Sequence, residues 1–173
     1  MTYIMNPEDR DTAIPHAVAL GKAFQMTNFI RDVREDVVDR DRVYLPAETL
    51  RSHGASHDQI LDLEFDESVA AAVAEELRRT ETLYREGVAG IKYLPEDSQF
   101  AVLLSAVLYA DHHRLVRSMG YDTVAETPSL STTRKLYLLA KTRWLWTWNK
   151  DPEVVFRRVS AVPDGERPRS GHG

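Results

Sequence analysis

An all-α protein is what this sequence predicts, on three observations. Its long apolar-patterned segments recur at helical spacing, their ends carry helix caps and stops, and no run of residues reads as a strand. No internal repeat divides the chain. Residues 1–11 form a polar lead-in, with Pro7, Glu8, Asp9 and Asp11 ahead of the first apolar pattern. A helix follows over 12–38, with Pro15 near its first turn, where a missing N–H is tolerated. Asp39-Arg40-Asp41-Arg42 breaks it, and Val43-Tyr44-Leu45-Pro46 leaves in extended form. Short helical pieces over 47–52 and 57–63 lie on either side of Gly54.

The next helix, over 67–90, is long and amphipathic. Its Glu75/Arg79 and Glu81/Arg85 pairs have the i, i+4 spacing that supports a solvated face. Another helix spans 96–119 and stops at Gly120, a C′ glycine. A loop over 121–130 contains Pro128, and Ser131 then caps a last major helix that runs to 149 and ends at Asp151-Pro152. Residues 161–173, rich in proline, glycine and charge, read as a disordered tail, so the packed domain is 12–160.

Composition excludes several function classes. The 173 residues are 43% hydrophobic and 28% charged with a net charge of −5, and no basic stripe dominates, which argues against nucleic acid as a partner. Cysteine is absent, so disulfides and thiolate metal sites are excluded. No basic segment followed by an apolar run opens the sequence, so no signal peptide is expected. The longest apolar stretch, 100–110, is about half of the roughly 20 residues a spanning helix needs. The expected location is therefore cytoplasmic, with peripheral membrane contact at most.

The chemistry concentrates in Leu20-Gly21-Lys22-Ala23-Phe24-Gln25-Met26-Thr27-Asn28-Phe29-Ile30-Arg31-Asp32-Val33-Arg34-Glu35-Asp36. At about 100° per residue, Gln25, Asn28, Asp32 and Asp36 fall within roughly 80° of one helix face, with Gly21 one turn earlier. Leu20, Ala23, Phe24, Met26, Ile30 and Val33 occupy the rest, so burial on several sides is expected. Polar groups on the remaining strip would then be desolvated unless they bind something. Two carboxylates and an amide oxygen suit Mg²⁺, which is held by few carboxylates plus water and substrate phosphates. Arg31 and Arg34 beside them could neutralise further phosphate oxygens. Spacing alone favours an ordinary solvated helix, and the apolar surroundings of Gln25 and Asn28 bring the two readings level.

That segment, from Ala19 to Asp36, followed by Arg42-Val43-Tyr44-Leu45-Pro46, resembles the second aspartate-rich motif of squalene/phytoene synthases. Tyr109 lies in a helix similar to the family's penultimate one, and Ser129-Leu130-Ser131 with Arg134-Lys135-Leu136 resembles its C-terminal motif. The resemblance implies an isoprenoid synthase-type helical bundle, here its C-terminal half. It implies head-to-head condensation of two prenyl diphosphates, most closely geranylgeranyl diphosphate to phytoene in carotenoid biosynthesis, with Mg²⁺ as cofactor. It implies that Asp32 and Asp36 hold Mg²⁺-diphosphate with help from Asn28, and that Gln25 lines the site. Arg31 would contact diphosphate, Glu35 would support the cluster, and Tyr44 and Tyr109 would border the cavity beside cationic intermediates. Alternatives are a squalene- or dehydrosqualene-type synthase acting on farnesyl diphosphate, separated by product and by NADPH dependence, or a non-catalytic relative serving as an assembly factor.

Three departures qualify the resemblance. The family's earlier aspartate-rich motif is not found in these residues, so the chain alone is expected to be inactive without a complementary N-terminal half or self-association. The loop from Val37 to Arg42 is a residue longer than the common form, which leaves the substrate role of Arg42 open. Thr127-Pro128 replaces an arginine expected just before Ser129. Elsewhere, His112 and His113 point about 100° apart, so packing or surface roles are expected, with Tyr109/His113 as a candidate supporting contact. Trp144, Trp146 and Trp148 among Lys141, Arg143 and Lys150 suit either core packing or a membrane-interface patch.

Overall fold

The computed structural model describes residues 7–165, and among them no strand occurs. Eight α-helices follow one another: α1 (Pro7–Arg31), α2 (Val33–Arg40), α3 (Ala47–Ser52), α4 (His57–Leu61), α5 (Glu67–Val88), α6 (Glu96–Ser118), α7 (Thr132–Trp148) and α8 (Pro152–Val159). A 3₁₀ turn, Ile91–Tyr93, joins α5 to α6.

Local chemistry explains most boundaries. The Asp66 carboxylate accepts from the Ser68 and Val69 amides and starts α5, and Ser131 Oγ accepts from the Arg134 amide and starts α7. Gly120 takes φ +64 just past α6, as expected of a helix-ending glycine. Asp151-Pro152, expected as a stop, is instead a start. The Asp151 carboxylate accepts from the Glu153 and Val154 amides, proline takes the first position, and α8 follows.

Two apolar clusters hold the helices together. One joins Tyr84, Leu103, Val107, Leu138, Trp146 and Phe156. The other joins Ile30, Val33, Leu50, Ile60, Val73 and Leu77 beneath the short helices. α1 lies across both, turning Leu20 and Ala23 into the first and Ile30 into the second.

The approach of α1 to α5 is unusually close, and glycine permits it. A Cβ on Gly87 would sit 2.6 Å from Leu20 Cβ and 2.7 Å from Leu20 Cα, while one on Gly90 would collide with His16. No rotamer change relieves a clash with backbone.

Several expectations need correction. α1 starts at Pro7 instead of 12, because the polar residues ahead of Thr12 are themselves helical, and residues 1–6 lie outside the described ones. The single helix over 12–38 is two helices, parted at Asp32. The Glu81/Arg85 pair does not form on a solvated face. Glu81 is buried and meets Arg117 and His113, while Arg85 donates to the Pro163 carbonyl at 3.0 Å. Leu20, Ala23, Ile30 and Val33 are buried as expected, but Ile14 and Val18 ahead of them are about half exposed, at 48% and 50%. Of the tail expected from 161, Val162 packs into the first cluster, and the part from 166 lies outside the described residues.

Replacing Gly87 by alanine should therefore force α1 off α5. We expect a loss of about 1–3 kcal/mol in chemical denaturation, as for other overpacked interfaces. Gly21→Ala, where an added Cβ meets nothing within 4 Å, serves as the control and should instead stabilise by about 0.5–1 kcal/mol.

Candidate functional site at the α1–α2 junction

Helical geometry sets the rotation of α1. Ala19, Ala23, Thr27 and Ile30 occupy its core side, and all four are buried. At about 100° per residue the opposite side carries Ile14, Val18, Gly21, Gln25, Asn28 and Asp32. The candidate strip thus lies on the face turned away from the core of these residues. It runs from apolar at the Ile14 end to polar at the Asp32 end.

A buried polar network locks that rotation. Thr27 Oγ1 lies 2.9 Å from the Tyr84 hydroxyl and 3.0 Å from His113 Nε2. His113 Nδ1 lies 3.3 Å from Glu81 Oε1, which also accepts from Arg117. One proton arrangement satisfies every group. His113 Nδ1–H donates to Glu81, Nε2 accepts from Thr27, and the Tyr84 hydroxyl donates to Thr27. Burial pushes His113 below the ordinary histidine value and outweighs the opposing pull of Glu81. Burial would raise Glu81, but its bonds from His113 and Arg117 and the charge of Arg117 hold it below the usual carboxylate range. The Tyr84 hydroxyl is pushed up by burial and stays protonated.

The helix bends where the carboxylates begin. Asp32 has φ −95° and ψ 15°, and the Arg34 amide leaves the helical ladder to donate to the Thr123 carbonyl at 3.2 Å. The Arg34 guanidinium donates to the Val124 carbonyl at 3.0 Å, so this side chain anchors the loop after α6. Asp36 sits one turn further, its amide donating to the Asp32 carbonyl at 2.8 Å.

Both carboxylates already face cations. Arg31 Nε and Nη2 donate to the two Asp32 oxygens at 2.6 and 2.7 Å, a bond that also raises the arginine above its ordinary value. Asp36, only 4% exposed, accepts from Arg40. Asn28 differs, because its Oδ1 is buried and has no hydrogen-bond partner. An acceptor left in that state asks for a cation or a donor.

An open groove of about 460 Å³ lies beside the strip, lined by Arg31, Asp32, Glu35, Tyr109, His112 and Lys135 among others. Thr127, Pro128, Ser129 and Leu130 form its other edge. The Tyr109 ring stands 4.8 Å from Phe24, and its carbonyl accepts from His112 Nδ1 at 3.1 Å. Burial, helped by the nearby charge of Arg31, keeps His112 below the ordinary histidine value. The expected Tyr109/His113 contact is replaced by these, since His113 turns into the core.

The groove thus unites Arg31, Asp32, Glu35 and Tyr109. Gln25 is exposed on the same face of α1, and Asn28 lies between it and Asp32. Tyr44 stacks on Phe29 at 4.9 Å and Arg42 is exposed, but neither lines the groove. His112 and Lys135 were not singled out as site residues. Lys135 lay in a quoted motif, whereas nothing in the spacing of His112 distinguishes it from a packing residue. On the far side, Arg134 holds the buried Asp111 through a two-pronged bond at 2.7 and 2.9 Å and so ties α7 to α6.

Comparison with known proteins places the sequence among characterised relatives. The family profile for squalene/phytoene synthase matches residues 1–138. The phytoene synthase of Thermus thermophilus is 37% identical over 125 residues, covering 72% of this chain and 43% of that protein. The 15-cis-phytoene synthase of Enterobacter agglomerans is 32% identical over 139 residues, covering 80% of this chain and 46% of that protein. That of Synechococcus elongatus is 32% identical over 120 residues, covering 69% and 39%.

The chain belongs to the squalene/phytoene synthase family. It spans less than half the length of these relatives. The family is generally dependent on a divalent metal. Hard oxygen donors at Asn28, Asp32 and Asp36 fit such an ion in kind, and the orphaned Asn28 oxygen supports the fit. They do not complete a shell, since among the described residues no group of three or more His, Asp or Glu is placed to hold a metal.

The network gives a pH prediction. Because folded His113 resists protonation, the unfolded chain binds more protons as pH falls below about 6.5, and stability falls with it. Thermal melts between pH 7 and 5 should show this loss. His113→Gln should melt lower at pH 7 but show a shallower slope, the remainder coming from His112. Parallel slopes for the two proteins would contradict the assignment.

Proposed function

We propose that this chain forms one wall of a site joining two prenyl diphosphates head to head, with geranylgeranyl diphosphate as substrate and phytoene as product. The observation that carries the reading is the polarity gradient along the outward face of α1. Ile14 and Val18 are followed by Gly21, Gln25, Asn28 and Asp32, a span of 18 residues or about 27 Å of helix. A prenyl diphosphate has the same gradient, an oily chain ending in a charged head. The names of the relatives point the same way.

In this reading Asn28, Asp32 and Asp36 hold Mg²⁺, which when bound stabilises the charge of the departing diphosphate. Arg31, freed from Asp32, turns its planar fork to diphosphate oxygens. Glu35 and Lys135 face the same groove and orient the head group. Gln25 lies along the chain-bearing face, while Tyr109, with Phe24 behind it, offers a π face to a carbocation. Tyr44 is stacked on Phe29 and does not line the groove; in this reading its other face is a second aromatic surface for a cationic intermediate. Arg42, beyond α2, is exposed and free to meet diphosphate once substrate is bound.

One strip supplies part of a ligand shell. Residues 1–173 by themselves should therefore not turn over, whether the second carboxylate strip comes from the same polypeptide or another. Incubated with geranylgeranyl diphosphate and Mg²⁺, they should yield no phytoene. Supplied with the N-terminal part of the Thermus relative, they should yield phytoene without NADPH. In that mixture Asp32→Asn should reduce the rate by about 100-fold or more. Equal rates for wild type and variant would remove Asp32 from the site, and a squalene-type product would redirect the substrate assignment.

A further inference from the structure

The outward face of α7 is as distinctive as that of α1, and its tryptophans lie apart from the groove beside Asp32. Of the ten large hydrophobic side chains left exposed on the described residues, five lie on this helix, so the exposure is concentrated and not scattered. Trp144 is 63% exposed and Trp148 78%, whereas Trp146 is buried beside Phe100. The alternating tryptophans thus divide between surface and core. At about 100° per residue Leu136, Tyr137, Ala140, Trp144 and Trp148 fall within roughly 120°, a stripe about 18 Å long.

Charge is segregated to the same place. Residues 127–150 contain no Asp or Glu and carry Arg134, Lys135, Lys141, Arg143 and Lys150, in a chain whose net charge is −5. Arg143 borders one edge of the stripe and Lys141 the other. Arg134 is taken by Asp111, but among the described residues Lys135, Lys141, Arg143 and Lys150 have no carboxylate partner. Lys141 lies over the Tyr137 ring and Arg143 over Phe100, so apolar bodies and charged tips are interleaved.

We propose that this face of α7 docks in the plane of an anionic lipid surface. Tryptophan and tyrosine favour the boundary between headgroup and hydrocarbon, and flanking cations match anionic headgroups. A second copy of the chain is a poor occupant, since a two-fold contact would bring like cations together. Nucleic acid is disfavoured by the acidic balance of the rest of the chain. Spanning is not involved, because no helix among the described residues is long and apolar enough to cross a membrane.

The test is flotation of the 173-residue chain with vesicles of phosphatidylcholine, with and without phosphatidylglycerol. It requires no turnover, so its result is independent of the catalytic reading. The chain should float with the anionic vesicles and stay behind with the neutral ones. Lys141→Gln and Arg143→Gln should each weaken binding about five-fold. Trp144→Ser with Trp148→Ser should abolish it while circular dichroism stays unchanged, both side chains being exposed. In the unsubstituted chain, brominated lipid should quench tryptophan fluorescence, an outcome that needs no variant. Absence of flotation, flotation that the tryptophan variant retains, or a dimer that this variant dissolves would each overturn the proposal.

Discussion

The constraint on which the rest depends is the rotation of α1 about its own axis. Thr27 is its pin, held from one side by the Tyr84 hydroxyl and from the other by His113. Leu20, pressed against Gly87, prevents the helix from rolling. With Thr27 inward, Asn28 and Asp32 must face away from the core, because they follow one and five residues later on a helix of 3.6 residues per turn. A roll of one residue would bury the Asp32 carboxylate among apolar side chains and expose Ile30. The buried network thus does its work one layer behind the site.

The bend at Asp32 is the second determinant. A straight helix would keep Asp36 in line with Asp32 and leave Arg34 free. By giving its amide to Thr123 and one guanidinium N–H to Val124, Arg34 ties α2 to the loop after α6. That loop leads to Ser129 and Leu130 at the groove edge, so one residue couples the carboxylate helix to the opposite wall. The arginines facing Asp32 and Asp36 keep both carboxylates compensated. A ligand must displace those partners, and a divalent ion with an anionic head group supplies both the cation and the anion needed for exchange.

The fold class and most helix ends were legible in the sequence because they rest on local chemistry. Ser131 as a cap, Gly120 as a stop and the long amphipathic pattern of α5 require only neighbouring residues. What could not be read depended on distant partners. The bend at Asp32 needs the Thr123 carbonyl, and the fate of Glu81 depends on His113 and Arg117, more than 30 residues away. The polar strip is legible as a strip, but what lies against it is not: Ile14 and Val18 lie open on the same face as Gln25. α8 is locally legible through Asp151-Pro152-Glu153, where proline takes the first helical position and does not only end the helix before it.

The account stands or falls on whether the outward strip of α1 receives a metal-bound diphosphate. Paramagnetic broadening of amide NMR signals in the 173-residue chain, on adding Mn²⁺ with inorganic diphosphate, locates the ion directly. Signals from Asn28 to Asp36 and around Tyr109 and His112 should broaden first, and the Asn28 side-chain amide with them. Broadening spread evenly over the acidic surface, or centred away from the α1–α2 junction, would contradict it.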